Sequence, residues 1–453
     1  MNTIEFSGKN YDQKALLKEL FDVGVLAVKP KEILSNFIRI HDSKVIIKSE
    51  NNDIRYNSIN KIFPICIGKA SVETAETINK IFNKTKVKLE KGIVVVNEEN
   101  YKEVKGFKCF ISSHPLPNQS GIVASKYIIE YLKKTQNNDL VLVFISGGGS
   151  SLLPLPVESI ELKEKININR LLLESGANIN EINTVRKHLS KIKGGYLTKY
   201  CSPASVHSLI LSDVMGDDFS SISSGLTVPD PTTFKDAKKI LIKYKIWNNI
   251  SINVKEYIEK GIKNTSLETP KYDNSVFKKS KNTLIGCNTI SLEAIKKFCD
   301  YKNIKSEVWK KNIGGDVRKV AIEFVDFISS RNEKSPIILI SGGETTVKIK
   351  GTGKGGRNQE LAIYFSYYMK KNNPDVKYTF LSAGTDGRDG PTNAAGGIVD
   401  NDTIIKIKKK KVDLNRELKN NNSYYILKAV ESLLIMDGTS TNVADIQLIA
   451  IMG

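Results

Sequence analysis

LVLVFISGGGSS, residues 140–151, is an unbroken apolar run that stops in a serine- and glycine-rich turn. Apolar residues without polar alternation, bounded by glycines, read as a strand covered on both faces in a parallel sheet. Glycines just past such a strand let the backbone approach a ligand, and their N–H groups can converge on an anion. The pattern recurs at PIILISGGETT, residues 336–346, and reads the same way. Two copies point to a phosphate- or carboxylate-handling site built from two parts of the chain. Its expected contacts are Gly147, Gly148, Gly149, Ser150 and Ser151 in the first copy, and Gly342, Gly343, Glu344 and Thr345 in the second.

Working outward from the first copy, strands alternate with helical periodicity. FPICIG (63–68) is a strand, 71–83 a helix and GIVVVN (92–97) a strand. A helix near 121–134 leads into LVLVFI, a helix spans 183–194, and SLILSD (208–213) is another buried strand. This alternation implies a doubly wound, Rossmann-like parallel sheet with ligands at the carboxyl ends of its strands. The polar, irregular stretch 263–281 reads as a linker. A second α/β domain then begins at TLIGCN (283–288) and includes an alternating segment at 346–351, a helix at 357–370 and a strand opening 377–391. The expected division is 1–265 and 280–453.

At 453 residues the chain exceeds the usual size of a single core, so two domains are expected. Its +19 net charge raises the question of nucleic acid. The basic residues are spread along the chain among Asn and Ile, as an AT-rich coding sequence also produces, and no nucleic-acid partner is expected. Five cysteines lie far apart with no CxxC spacing, which with no signal peptide points to a reducing, cytoplasmic setting. No apolar stretch is long enough to span a membrane, and no Cys or His spacing suits zinc.

Several charged residues sit where chemistry could use them. Lys69 follows the FPICIG strand and precedes a helix, where an ammonium can hold a phosphate; a solvated surface lysine is the bland alternative. The SGGGSS loop carries no lysine of its own, so Lys69 is its natural cationic partner. Asp213, Asp217 and Asp218 follow the SLILS strand, and Asp386 and Asp389 lie in AGTDGRDG (383–390). Two carboxylate loops with two anion-binding turns suit Mg²⁺-assisted phosphoryl transfer. GTGKGGRNQE (351–360) contains GxGxxG, but it follows an alternating segment and lacks the ribose-binding acid, so it is no dinucleotide fingerprint. Its useful members are Lys354 and Arg357 at the mouth of a helix. Of Arg186, Lys187 and Lys193, the basic candidates for substrate binding, Arg186 and Lys193 share one helix face, which could collect a substrate carboxylate or be a solvated face. His114 and His188 read as structural.

In order, GKA (68–70), SSHPLPNQSG (112–121), SGGGSSLL (146–153), NTVRKHLSKIKGG (183–195), LSDVMGDD (211–218), PDPTTF (229–234), SGGETTVKIKGTGKGGRNQELA (341–362), AGTDGRDGPTNAAGG (383–397) and TNVAD (441–445) resemble the glycerate 2-kinases of the MOFRL type. The resemblance runs from about residue 60 to the C-terminus and implies a Rossmann-like domain, a MOFRL domain and an active site in a cleft between them. It implies ATP- and Mg²⁺-dependent phosphorylation of D-glycerate at its 2-hydroxyl, with Lys69, Asp213, Arg357 and Asp386 catalytic. The carboxylates expected to serve the metal are Asp213, Asp217 and Asp386, and the chain is expected to be a monomer or homodimer. Two loops depart from the pattern: Leu226 stands where the family has proline, and Gly438 and Ser440 replace a proline and a glycine. The runner-up, a hydroxypyruvate reductase, would need the dinucleotide fingerprint that is missing.

Overall fold

The computed structural model describes residues 3–49, 52–83, 85–331 and 335–452. It divides into two compact units, Pro30–Ile285 and Met1–Lys29 with Gly286–Gly453.

In the Pro30–Ile285 unit the Leu140–Ile145 strand lies inside a seven-stranded sheet. Across the sheet the order is Ser280–Gly286, Ser205–Leu211, Leu140–Ile145, Lys61–Ile67, Gly92–Asn97 and Phe107–Ser112, with Lys88–Leu89 beside Lys61–Ile67. Leu140–Ile145 runs parallel to both neighbours, as the unalternated apolar run requires. Val141 and Val143 pack with Phe63, Ile65, Ile128 and Leu132 in one core, under the Gln119–Leu132 helix. The doubly wound reading therefore holds for this unit. A separate helical core surrounds Phe234, against whose ring Gly261 packs so closely that an added Cβ would come within 2.5 Å of it.

Two expectations for this unit change. The helix foreseen at 183–194 is Ile179–His188. It starts two-sidedly capped by Asn178 and Glu181. It stops because Ser190 leaves to bridge Pro156, donating its hydroxyl to the Leu155 carbonyl and accepting from the amides of Ile192 and Lys193. The stretch 263–281 is no linker but a strap on its own unit. Thr269 donates to buried Asp230 at 3.0 Å, Glu268 accepts from the Phe234 amide at 3.0 Å, and the Asp230 amide donates to the Pro270 carbonyl at 3.0 Å. The chain then enters the sheet as its Ser280–Gly286 edge, so the unit boundary falls after Ile285.

The other unit centres on a six-stranded sheet ordered Ser306–Asp316, Ile337–Thr346, Asp445–Ile451, Tyr378–Gly384, Ala394–Asp400 and Leu433–Ile435. The Ile337–Thr346 strand is interior, but only Ser306–Asp316 runs parallel to it, and Asp445–Ile451 is antiparallel. Burial on both faces produced its apolar run, and burial does not distinguish strand direction. One face carries the Val317–Ser329 and Arg357–Asn372 helices, with Phe324, Phe365 and Phe380 clustered between helices and sheet. The opposite face is covered by the Gln13–Leu26 helix, which buries Leu16, Leu17, Leu20, Phe21 and Val25 against Leu292, Ile295, Ile340 and Leu448. The N-terminal segment thus belongs with the C-terminal unit, correcting the 1–265 boundary.

Leu20→Ala should destabilise this unit by about 2–5 kcal/mol in urea unfolding, since it empties a fully buried site. Leu26→Ala on the same helix, 51% exposed, should stay within about 0.5 kcal/mol.

Candidate active site

In the Pro30–Ile285 unit the turn carrying Lys69 is stitched to the SGGGSS loop. The Lys69 amide donates to the Gly147 carbonyl at 3.0 Å, the Ala70 amide to the Ser146 hydroxyl at 3.1 Å, and the Ser146 amide to the Ile67 carbonyl at 2.9 Å. Gly68 makes this possible: its φ is +114°, and a Cβ there would lie 2.2 Å from the Ser146 hydroxyl. The structure thus brings together Lys69 and the lysine-free loop expected to use it.

The loop itself turns at Gly148 (φ +92°) and enters a short helix, Gly149–Leu152. A Cβ on Gly149 would lie 2.1 Å from the Ser223 hydroxyl. The Ser150 hydroxyl meets that of Ser224 at 2.8 Å, and Ser224 donates to Asn183 at 3.0 Å. Ser151 donates to the Gly148 carbonyl. Both hydroxyls therefore have partners that hold the loop. Ser223, Ser224 and Gly225 are consecutive left-handed residues. The Ser223 hydroxyl is buried without a hydrogen-bond partner among the described residues. Strain of this kind gathers at functional sites, and nothing in sequence spacing announced it.

Arg186 and Lys193 do not share a helix face, because the helix ends at His188. Lys187 is buried and pairs with buried Asp230 at 3.5 Å. Lys193 lies beyond the helix, fully buried, and donates to the Ser150 carbonyl at 2.8 Å, bracing the loop from beneath. Burial pushes its amine well below the ordinary lysine value, helped by the charges of Lys165 and Arg186. Lys165, donating to the Pro154 carbonyl, is lowered to about 7 by the same burial. Arg186 is half-buried, with Nε donating to Asn169 at 2.9 Å, and is the member best placed to meet a ligand. His188 is structural: its ring bonds the Thr184 carbonyl and Glu268.

Asp213 stands two residues past the Ser205–Leu211 strand, half-buried. Asp217 is left-handed (φ +53°) beside Gly216. Asp218 turns inward on its own loop. Partial burial works against its charge, but bonds from the Ser220 hydroxyl and amide and the Ser221 hydroxyl hold its pKa below the ordinary value. Leu226, the departure from proline, fills the core with Ile222.

In the other unit the second SGG is not a turn. Ser341–Thr346 stays in the strand, and its glycines admit neighbouring protein. A Cβ on Gly342 would lie 2.0 Å from Asn288 Oδ1, and one on Gly343 would lie 2.1 Å from the Ile313 carbonyl. Asn288 uses its amide to clamp the carbonyls of Val443 and Asp445, each at 2.9 Å. Thr345 is buried and Glu344 faces Arg357, so the expected anion turn is instead a support for Arg357.

Arg357 opens the Arg357–Asn372 helix. Its Nε and Nη2 donate to Asp445 at 2.6 and 2.8 Å, and Nη1 lies 3.1 Å from Glu344. Burial opposes the guanidinium charge, but the Asp445 carboxylate outweighs it and raises the arginine pKa. Asp445 sits between Gly343 and Gly384 of the flanking strands, where no side chains compete for its space. The sequence does not single out Asp445, because the strand it opens and the arginine it meets are set by tertiary contacts.

The acidic loop of this unit divides its labour. Asp386, half-buried, accepts from the Arg388 amide at 3.1 Å. Asp389 is buried and caps the helix, accepting from the amides of Asn358 and Gln359 at 3.2 and 2.9 Å. Gly351 and Gly353 pack against Asn420, leaving Lys354 exposed and no dinucleotide cradle. Ser440 stands at φ +59°, the left-handed region in which the family's glycine is unstrained. Among the described residues no three His, Cys, Asp or Glu side chains gather as a metal cage.

A domain family described only as a domain of unknown function (DUF4147) matches residues 16–259, and the MOFRL family matches 337–445. A Pyrococcus horikoshii protein named glycerate 2-kinase is 39% identical, covering 93% of each chain. The chain belongs to the glycerate 2-kinase family. A Thermotoga maritima relative named D-glycerate 2-kinase is 37% identical over 86% of this chain and 90% of its own. The crystal structure of a T. maritima glycerate kinase superposes with a TM-score of 0.80 at 34% identity, covering 97% of this chain and 99% of that one. No helix among the described residues is long and apolar enough to cross a membrane.

Burial raises Asp389 to about 7. Its folded value stands above the unfolded carboxyl's ~3.9, so its contribution is present below about pH 4 and lost as pH climbs to about 7. Asp389→Asn is neutral throughout, so its Tm relative to the parent should rise across that window. A constant difference would mean the carboxyl ionises as easily folded as unfolded.

Proposed function

We propose that the protein transfers the terminal phosphoryl group of ATP to the 2-hydroxyl of D-glycerate, giving 2-phosphoglycerate. Family membership supplies the reaction class. The observation that carries the reading is Arg357, held by two hydrogen bonds it donates to buried Asp445 yet still one-third exposed at 32% of its side chain. An aligned, always-charged guanidinium with open donors suits a phosphoryl group in transfer.

The remaining roles follow from local chemistry. The Gly147–Ser151 loop amides and the Lys69 ammonium receive nucleotide phosphates. Asp213 orients the 2-hydroxyl or takes its proton, and Arg186 receives the glycerate carboxylate. Asp217 and Asp386 are the carboxylates assigned to Mg²⁺, with Asp213 able to exchange roles with Asp386. The ion, when bound, neutralises charge on the phosphates. The reductase alternative would need a dinucleotide cradle, and the glycines at 351 and 353 are occupied by Asn420. One relative, from Agrobacterium vitis and 31% identical over 97% of this chain and 94% of its own, does carry a provisional hydroxypyruvate reductase name.

Lys69→Ala should lower kcat by roughly 10³–10⁵ with unfolding unchanged, and Arg357→Ala should lower it as far while also costing about 3–5 kcal/mol of stability, because it strands buried Asp445. With glycerate and ATP the parent should yield 2-phosphoglycerate, distinguishable from the 3-isomer by NMR. NAD(P)H oxidation with hydroxypyruvate and no ADP formation from glycerate would reject the reading.

A further inference from the structure

We propose that the two carboxylates on Arg357 do different work: Asp445 is a permanent aligner, and Glu344 holds Nη1 until an anionic oxygen of a substrate displaces it. The proposal rests on the kinase reading above.

The contrast lies in burial and attachment. The Asp445 side chain is 0% exposed and takes two hydrogen bonds from Arg357. Its backbone carbonyl is clamped by Asn288, whose fit depends on Gly342. Its strand neighbours at that level are Gly343 and Gly384, so the carboxylate has a fitted slot and no exit to water. Parting this pair would strand a buried charge, which is strongly unfavourable. Glu344 differs in each respect. Its side chain is 45% exposed, and it meets Arg357 at one nitrogen, 3.1 Å away. Exposed pairs of this kind are weak because water solvates both ions nearly as well.

Charge supplies the direction. One guanidinium with two carboxylates is net negative, which repels an arriving phosphate or carboxylate. Removing Glu344 from Nη1 leaves an Arg–Asp pair and an open N–H donor pointing away from Asp445. An anionic substrate oxygen has the same hydrogen-bonding chemistry as the carboxylate it replaces. Asp445 is thus a positioning residue, and Glu344 sets how tightly the anion is held.

Steady-state kinetics on the full-length chain, with ATP and with glycerate varied in turn, test both halves. Glu344→Gln should raise kcat/KM about two- to fivefold for whichever substrate presents the anion, and the KM that falls identifies it as the nucleotide or the hydroxy acid. An unchanged or reduced kcat/KM for both substrates would overturn the exchange. Asp445→Asn should lower kcat by about 100-fold with KM shifted little, because the guanidinium loses its fixed orientation. Parental kcat in Asp445→Asn, with Arg357→Ala inactive, would overturn the aligner. If Asp445→Asn fails to fold by circular dichroism, the exposed Glu344→Gln decides alone. An active Arg357→Ala would instead remove the kinase role assigned to that arginine.

Discussion

The Arg357–Asp445 pair is the constraint around which the C-terminal unit is arranged. A carboxylate with no exposure is tolerable only if its partner is fixed, and a half-buried guanidinium is useful only if it is aimed. Both needs are met at one place, where the first residue of the Asp445–Ile451 strand faces the first residue of the Arg357–Asn372 helix. The surrounding glycines follow from this. Gly343 and Gly384 flank the acid with no side chains, and Gly342 leaves room for Asn288 to hold the chain that presents it. Asp389 closes the same helix end by capping Asn358 and Gln359.

The Pro30–Ile285 unit solves a different problem with similar residues. Its parallel strands end together, and the loop after Leu140–Ile145 is tied by backbone bonds to the turn after Lys61–Ile67. Lys69 is therefore positioned by main chain. Lys193 braces the loop from below, so a cation that spacing assigns to substrate is spent on the scaffold. The left-handed run at Ser223–Gly225 presses on Gly149 and completes the loop's support.

Much of the architecture was legible. The unalternated run at 140–145 announced a doubly covered strand, and the alternating strand and helix pattern around it announced the parallel sheet. Local setting and ordered motifs also single out Lys69, Asp213, Arg357 and Asp386, whose roles are proposals. Other readings failed for identifiable reasons. The helix through 183–194 was extended too far because apolar spacing continues past His188, whereas the Ser190–Pro156 bridge is a long-range contact. The strap at 263–281 looked like a linker because its polar residues bind buried Asp230 and Glu268 binds a helix amide, and a polar composition does not reveal satisfied partners. The N-terminal helix carried an amphipathic stripe but no indication of which core it would join.

By itself the sequence determined which segments are buried on both sides, where glycine breaks them, and which charged residues follow strand ends, because periodicity and backbone freedom are local properties. Tertiary structure alone decided strand direction around Ile337–Thr346, the home of residues 13–26, and the purpose of each Ser-Gly-Gly. Those depend on what lies across the sheet. One pair of glycines meets a loop braced for Lys69, and the other meets Asn288 and Ile313 so that Asp445 can hold Arg357. Identical dipeptides acquired different work because a missing side chain has meaning only through the neighbour that occupies its space.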